Sequence, residues 1–157
     1  MFTMRKSGIS IMLLAALCLC ASASQLAAQT DASGDPATTF TTLLNFDSTN
    51  GANSSAGMIQ AKDGNLYGTT ANGGANNDGT VFKITTSGNL TTLYSFCSLS
   101  ACGDGANPAG GVIQATDGNI YGTTELGTIF KITPSGTLTT IATLNGAEGE
   151  FPLAALI

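Results

Sequence analysis

The sequence contains no histidine and no tryptophan, and only 10% of its 157 residues are charged. Lack of histidine removes the commonest general base near neutral pH and a common metal ligand. Lack of tryptophan weakens the case for a carbohydrate-stacking platform. Lys and Arg together number 5 against 10 Asp and Glu, for a formal net charge of −5. That surface repels phosphate backbones and argues against a nucleic-acid partner. Beyond the first residues there is no apolar repeat at helical spacing, so helical architectures are excluded. What the chain does have is glycine (20 residues), with abundant Thr, Ser and Asn, and 43% hydrophobic residues in short, spaced runs. This is the composition of an ordered, turn-rich and strand-rich protein.

The N-terminus follows a different logic. Arg5 and Lys6 precede an apolar stretch from Ile9 to Cys20, and small residues follow at Ala21-Ser-Ala23 and Ala27-Ala-Gln29. This is the layout of a secretory signal peptide, expected over residues 1–28, with Ala23 the alternative cleavage point. The apolar run is short for a membrane span of about 20 residues. Lipid attachment fits poorly, because Cys18 and Cys20 follow Leu17 and Leu19 rather than small residues. Cleavage would leave Lys62, Lys83 and Lys131 against ten acids, a net charge of 3 − 10 = −7. The expected location is secreted or associated with the cell envelope.

Export would also leave two cysteines, Cys97 and Cys102, in an oxidising compartment. A redox or metal pair is one reading, but two sulfurs without histidine make a poor zinc site. A structural disulfide closing a short loop is the preferred reading, and it would add little stability.

A repeat organises the rest. Ile59-Gln-Ala-Lys-Asp-Gly-Asn-Leu-Tyr-Gly-Thr-Thr70 recurs as Ile113-Gln-Ala-Thr-Asp-Gly-Asn-Ile-Tyr-Gly-Thr-Thr124, at an offset of 113 − 59 = 54. Gly79-Thr-Val-Phe-Lys-Ile-Thr85 recurs as Gly127-Thr-Ile-Phe-Lys-Ile-Thr133, at 127 − 79 = 48, because the loop Ala71–Asp78 shrinks to Glu125-Leu126. Each unit predicts four strands: Met58–Ala61 or Val112–Thr116, Leu66–Thr70 or Ile120–Thr124, Thr80–Thr85 or Thr128–Thr133, and Leu90–Phe96 or Leu138–Leu144. Asp63-Gly64, Asp117-Gly118, Ser87-Gly88 and Pro134-Ser-Gly136 supply the turns. The fold class is therefore all-β, with tandem four-stranded antiparallel units. Their size suits propeller blades, and a β-solenoid is the alternative.

The string from Asp104 to Thr124, followed by Gly127 to Gly136, resembles the Gloeo-Verruco (GloVer) tandem repeat. The resemblance covers essentially residues 40–157. It implies an exported or surface repeat protein, propeller-like, and brings no established activity or catalytic residues. In domain terms the expectation is a signal peptide (1–28), a polar lead (29–39) and repeats over 40–157. The repeats divide into unit 1 (40–89), unit 2 (90–137) and a truncated unit 3 (138–157). Phe40–Phe46 reads as a fourth strand and Leu153–Ile157 as the start of a first strand. Closing a ring takes at least about four blades. Two full and two partial units imply either a truncated repeat protein or ring completion by self-association.

Candidate chemistry is sparse. Asp63 and Asp117 could pair as carboxylates or bind calcium, but an Asp-Gly-Asn turn that caps its own backbone explains them better. Gly64, Tyr67, Gly68, Gly118, Tyr121 and Gly122 complete the set assigned to the repeat fold. Lys83 and Lys131 read as strand lysines with packed stems. Asn76 and Asp78, in the glycine-rich loop, are weak calcium candidates, because the alternating acids of a calcium loop are missing. No other cofactor is expected. Loops of variable length are, however, where repeat proteins form binding surfaces. An enzyme reading needs non-repeated acids that converge on one cleft, and Asp47, Asp104 and Glu125 are the plausible ones. The favoured function is a non-catalytic extracellular or envelope module for binding or display. Its expected partners are an envelope glycan, a protein, or a second copy. A fragment of an exported glycan-active propeller enzyme, or a non-functional truncated repeat protein, are the alternatives.

Overall fold

A computed structural model of the chain describes residues 41–144 and 152–157. The expected leader (1–28), polar lead (29–39) and the residues Gly149–Phe151 lie outside that description. The described residues form two four-stranded antiparallel sheets. The first sheet has β1 (Ile59–Gln60), β2 (Leu66–Thr70), β3 (Thr80–Ile84) and β4 (Leu90–Ser95). The second has β5 (Ile113–Gln114), β6 (Ile120–Thr123), β7 (Thr128–Ile132) and β8 (Leu138–Thr143). Strand order follows chain order in both, as tight hairpins require. A single 3-10 turn at Ser100–Cys102 is the only helical element among the described residues. The two sheets do not close on themselves, and the described residues form no ring.

Strand boundaries differ from the sequence expectation in one informative way. The first strands of the sheets, β1 and β5, lie at their edges and are two residues long rather than four or five. The Ala61 N–H already donates to Asn65 O at 2.9 Å, and its carbonyl accepts from Gly64 N–H. The turn therefore begins at Ala61, and the same bonds recur at Ala115. In addition, β4 (Leu90–Ser95) pairs with β3. Unit 1 as a hydrogen-bonded body thus ends beyond residue 89, after the Ser87-Gly88 hairpin.

Each sheet buries an aromatic over a glycine. Gly68 pairs with Phe82, and Gly122 with Phe130. A Cβ on either glycine would stand 2.6 Å from the Cζ of its phenylalanine. The missing side chain lets the ring lie across the strand, which accounts for the shared Tyr-Gly-Thr-Thr. The two threonines are buried and hydrogen-bonded. Thr70 meets Thr80 and Thr124 meets Thr128, both at 2.8 Å between hydroxyls. Buried polar groups need such partners, and no buried side-chain polar atom lacks one among the described residues.

The sheets stack, and one core joins them. Ala61, Tyr67, Val81 and Phe96 cluster with Val112, Ile120, Phe130 and Ile132. The Phe96 ring meets Phe130 edge-on at 5.2 Å. Both sheets carry a bulge in the last strand, at Leu93 and Ile141. The Leu93 carbonyl stands 2.8 Å from where a Gly136 Cβ would be, so the second sheet's hairpin abuts the bulge of the first.

The expected flanking strands are corrected by the structure. Neither 41–46 nor 152–157 is a strand. A strand exists through its ladder partners, and neither segment has one. Phe46 packs edge-on against Phe82 at 5.1 Å, and Leu43 O stands 2.7 Å from where a Gly88 Cβ would be. The segment 41–46 thus meets the first sheet as β4 meets the second. At the other end, Thr123 Oγ1 donates to Pro152 O at 3.4 Å.

Candidate functional site

The repeated acids are consumed by their own turns. Asp63 Oδ1 accepts the Asn65 N–H at 3.1 Å, and Oδ2 accepts Asn65 Nδ2 and the Tyr67 hydroxyl, both at 2.8 Å. Asp117 repeats this with Asn119 and Tyr121. Gly64 and Gly118 complete the turns with φ near +81° and +82°. For Asp63, burial pushes the pKa up, but the hydrogen bonds and nearby Lys83 outweigh it and hold the carboxyl below its usual value. Asp117 is likewise lowered, chiefly by Asn119. The two carboxylates belong to separate corners, each bound to its own Asn and Tyr. Lys83 and Lys131 face Tyr67 and Tyr121 across the ladder.

The non-repeated residues meet at one junction. The loop Ala71–Asp78 and the link Phe96–Gly105 are both longer than their counterparts in the second unit, and they pack together. Asn76 Nδ2 donates to Phe96 O at 2.8 Å and to Ser98 Oγ at 3.3 Å. Asp78 O accepts the Asn107 N–H at 2.8 Å. Cys97 and Cys102 are bonded as a disulfide five residues apart. Beneath that loop lies Asp104, which is fully buried. It accepts from the Tyr94 hydroxyl and the Ser98 N–H at 2.8 Å and from the Leu99 N–H at 3.1 Å. Burial works to raise its pKa, but these donors prevail and lower it. Tyr94 is pushed up to about 12 by burial and by the Asp104 carboxylate. Asp47 is also lowered, mainly by Thr49.

A third feature lies between the edge strands β1 and β5. Ile59, Gln60, Ala61 and Lys62 face Ile113 and Gln114 across an open groove of about 530 Å³. Gln114 ties the two units together there. Its Oε1 accepts the Lys62 N–H at 2.8 Å, and its Nε2 donates to Gly118 O at 3.0 Å. Gln60 Nε2 donates to Gly64 O at 3.2 Å. Both amides are thereby held in place along the groove wall. Lys62 is the one charged residue that breaks the repeat, its counterpart being Thr116.

The sequence model of the Gloeobacter/Verrucomicrobia repeat matches residues 32–157, which is 157 − 31 = 126 residues of 157. The chain belongs to this repeat family. No curated protein matches the chain.

In this Gloeobacter/Verrucomicrobia repeat protein, the structure brings together some of the residues singled out from sequence and not others. Asp63 joins Tyr67, and Asp117 joins Tyr121. Asn76 is turned toward the link, where its amide nitrogen serves as a donor. Asp78 lies beside the cysteine pair, a neighbour that separation along the chain conceals. Asp47 and Asp104 occupy different loops; Asp47 accepts from Thr49 and Asn50, and Asp104 from Tyr94, Ser98 and Leu99. The groove residues Gln60, Lys62 and Gln114 were not singled out at all. The one available signal was the Lys62/Thr116 difference inside an otherwise near-identical string.

Proposed function

We propose that this chain is an exported, non-catalytic repeat module of propeller type that acts by binding, with the groove between β1 and β5 as its ligand surface. The observation that carries this reading is the groove's lining. It offers fixed amides, an aliphatic floor and one ammonium, but no carboxylate, hydroxyl or thiol. Such a surface can recognise a ligand through hydrogen bonds and charge, and it has no acid–base pair with which to transform one. Among the described residues, hydrogen bonds hold Asp47, Asp63, Asp104 and Asp117 below their usual values. A glycosidase acid needs the opposite shift. The net negative charge disfavours a densely charged polyanion, whereas Lys62 favours a local anionic group, so an envelope glycan with sparse acidic sugars suits the groove.

The propeller assignment is supported by convergence of equivalent positions. Gly57, Gly111 and Ala155 succeed one another at the same place in three units. A Cβ on Gly111 would lie 3.5 Å from both Gly57 O and Ala155 Cβ. Inner strands of stacked blades approach a common axis in this way.

The test is a glycan panel with acidic and neutral members, run with the wild type and Lys62→Thr. Binding of acidic members, weakened about tenfold by the substitution, is expected for loss of one charged contact. Absence of binding, or binding indifferent to Lys62→Thr, contradicts the proposal. Secretion is tested separately by fusing residues 1–28 to a reporter active only after export.

A second reading, self-association, is favoured by a different observation. Tyr67 and Val81 are buried by the second sheet, whereas their counterparts Tyr121 and Ile129 are half-buried. At the bulge, Ile141 is 53% exposed. The outward face of the second sheet thus repeats the surface of the first sheet that the second sheet covers, and a second copy would supply a matching cover.

A further inference from the structure

We propose that the junction of the two non-repeated loops is a redox-gated site for Zn²⁺, formed by Cys97, Cys102 and Asp78 once the disulfide is reduced. The inference is independent of the groove. It starts from a juxtaposition: a carboxylate oxygen of Asp78 and the two sulfurs all lie within 4.8 Å of one another. These ligands come from two separate segments. Asp78 ends the loop between β2 and β3, and the cysteines sit in the link after β4. The second unit has neither insertion, so the repeat fold does not require this cluster.

The chemistry of the set is specific. As a disulfide the two sulfurs are poor ligands, because thiolates bind metal. A dithiol reductant converts the disulfide to two thiols and is itself oxidised to a disulfide, so two electrons and two protons enter the site. Zinc then displaces a proton from each thiol. Two thiolates and one carboxylate make a three-ligand set with a fourth tetrahedral position open to water. The sulfurs must part to roughly 3.7 Å, the span across a tetrahedral ion with ~2.3 Å Zn–S bonds. The loop geometry suits a held, two-state segment. Cys97, Ala101 and Cys102 have φ of 56°, 54° and 52°, a region that non-glycine residues occupy when surrounding structure holds them there. The disulfide holds them in one state and the metal in the other.

The neighbours are arranged to support this. Asp78 is placed through its own backbone carbonyl, which accepts from Asn107. Asn76 steadies the link at Phe96 and Ser98. Asp104, fully buried and bound to Tyr94, Ser98 and Leu99, fixes the base of the loop.

Cobalt(II) is the probe, because thiolate-to-cobalt charge transfer and tetrahedral d–d bands report both ligand type and geometry. The purified full chain is titrated in reduced and oxidised form, alongside reduced Asp78→Asn, Asp78→His and the double variant C97S/C102S. Reduced wild type should show both bands and lose them to added Zn²⁺, and bound metal should slow reoxidation of the thiols. Oxidised wild type and C97S/C102S should show neither band. Asp78→Asn should weaken binding by about tenfold or more, as for lost ligand support at a zinc site. Asp78→His replaces one ligand with another and should retain tetrahedral binding. Equal affinity in wild type and Asp78→Asn overturns the assignment of Asp78, as does loss of binding in Asp78→His with its fold intact by circular dichroism. Absence of bands in reduced wild type overturns the site altogether. Oxidised wild type is a folded control without thiolates, so the comparison survives even if C97S/C102S fails to fold.

Discussion

Tyr67 and Tyr121 donate the same 2.8 Å hydrogen bond to equivalent aspartates, Asp63 and Asp117, yet only Tyr67 is fully buried. The difference is the second sheet, which covers the first and leaves its own outer face open. It also appears in the titration of the two phenols. Burial is the main cause lifting Tyr67 to about 12, whereas Tyr121 is raised chiefly by its bond to Asp117.

Alkaline unfolding follows from these shifts. Tyr67 and Tyr94 both stand at about 12 against an ordinary value of 10.0. A folded-state value above the unfolded one contributes stability that is complete below about pH 10 and is lost as pH rises through about 12. Tyrosinate absorbance should therefore rise late, together with loss of the β-sheet circular dichroism signal. Tyr67→Phe should cost about 1 kcal/mol for one hydrogen bond, and Tyr121→Phe less, measured by denaturant melts.

Asp104 should dominate acid stability. Its carboxyl is lowered in the fold, so its contribution is present above the unfolded value of about 3.9 and fades as pH falls through the folded value. Asp104→Asn cannot accept from all three donors and should cost about 2–3 kcal/mol, as expected for breaking a buried charged hydrogen-bond set. That cost should shrink toward acid pH.

The stacking contact at the bulge makes a sharp prediction about two glycines. Gly118 has φ +82° and nothing within 4 Å of an added Cβ, so Gly118→Ala should cost about 1 kcal/mol in backbone strain alone. Gly136 has φ +96° and would also press on the Leu93 carbonyl. Gly136→Ala should cost clearly more, about 2–3 kcal/mol, and should loosen the two sheets from each other by hydrogen exchange.

If the open face of the second sheet is covered by a second copy, light scattering should show mass rising with concentration. Ile141→Lys, at a residue 53% exposed in the single chain, should abolish that rise without lowering the melting temperature. A mass that stays monomeric at all concentrations contradicts self-association.

Much of the fold was legible because the repeat fixes register twice over. Asp-Gly-Asn marked both inner turns, and β2, β3, β4 and their counterparts fall within a residue or two of their sequence bounds. The edge strands β1 and β5 were overestimated, because Ala61 and Ala115 carry apolar side chains yet spend their backbone groups on the turn. Segments 41–46 and 152–157 have strand-like side chains, but a ladder depends on a partner that local sequence cannot reveal. The site was harder. Asp78 and Cys97 meet through the packing of two insertions, and the groove is made largely by backbone position, so only Lys62 left a mark in the sequence.

The most direct test of the binding account is a hydrogen-exchange map of the protein with and without the strongest acidic glycan from the panel. Protection confined to Ile59–Lys62 and Ile113–Gln114, and absent in Lys62→Thr, is the predicted result. Protection centred on the loops 71–78 and 97–104, or no change anywhere, would contradict it.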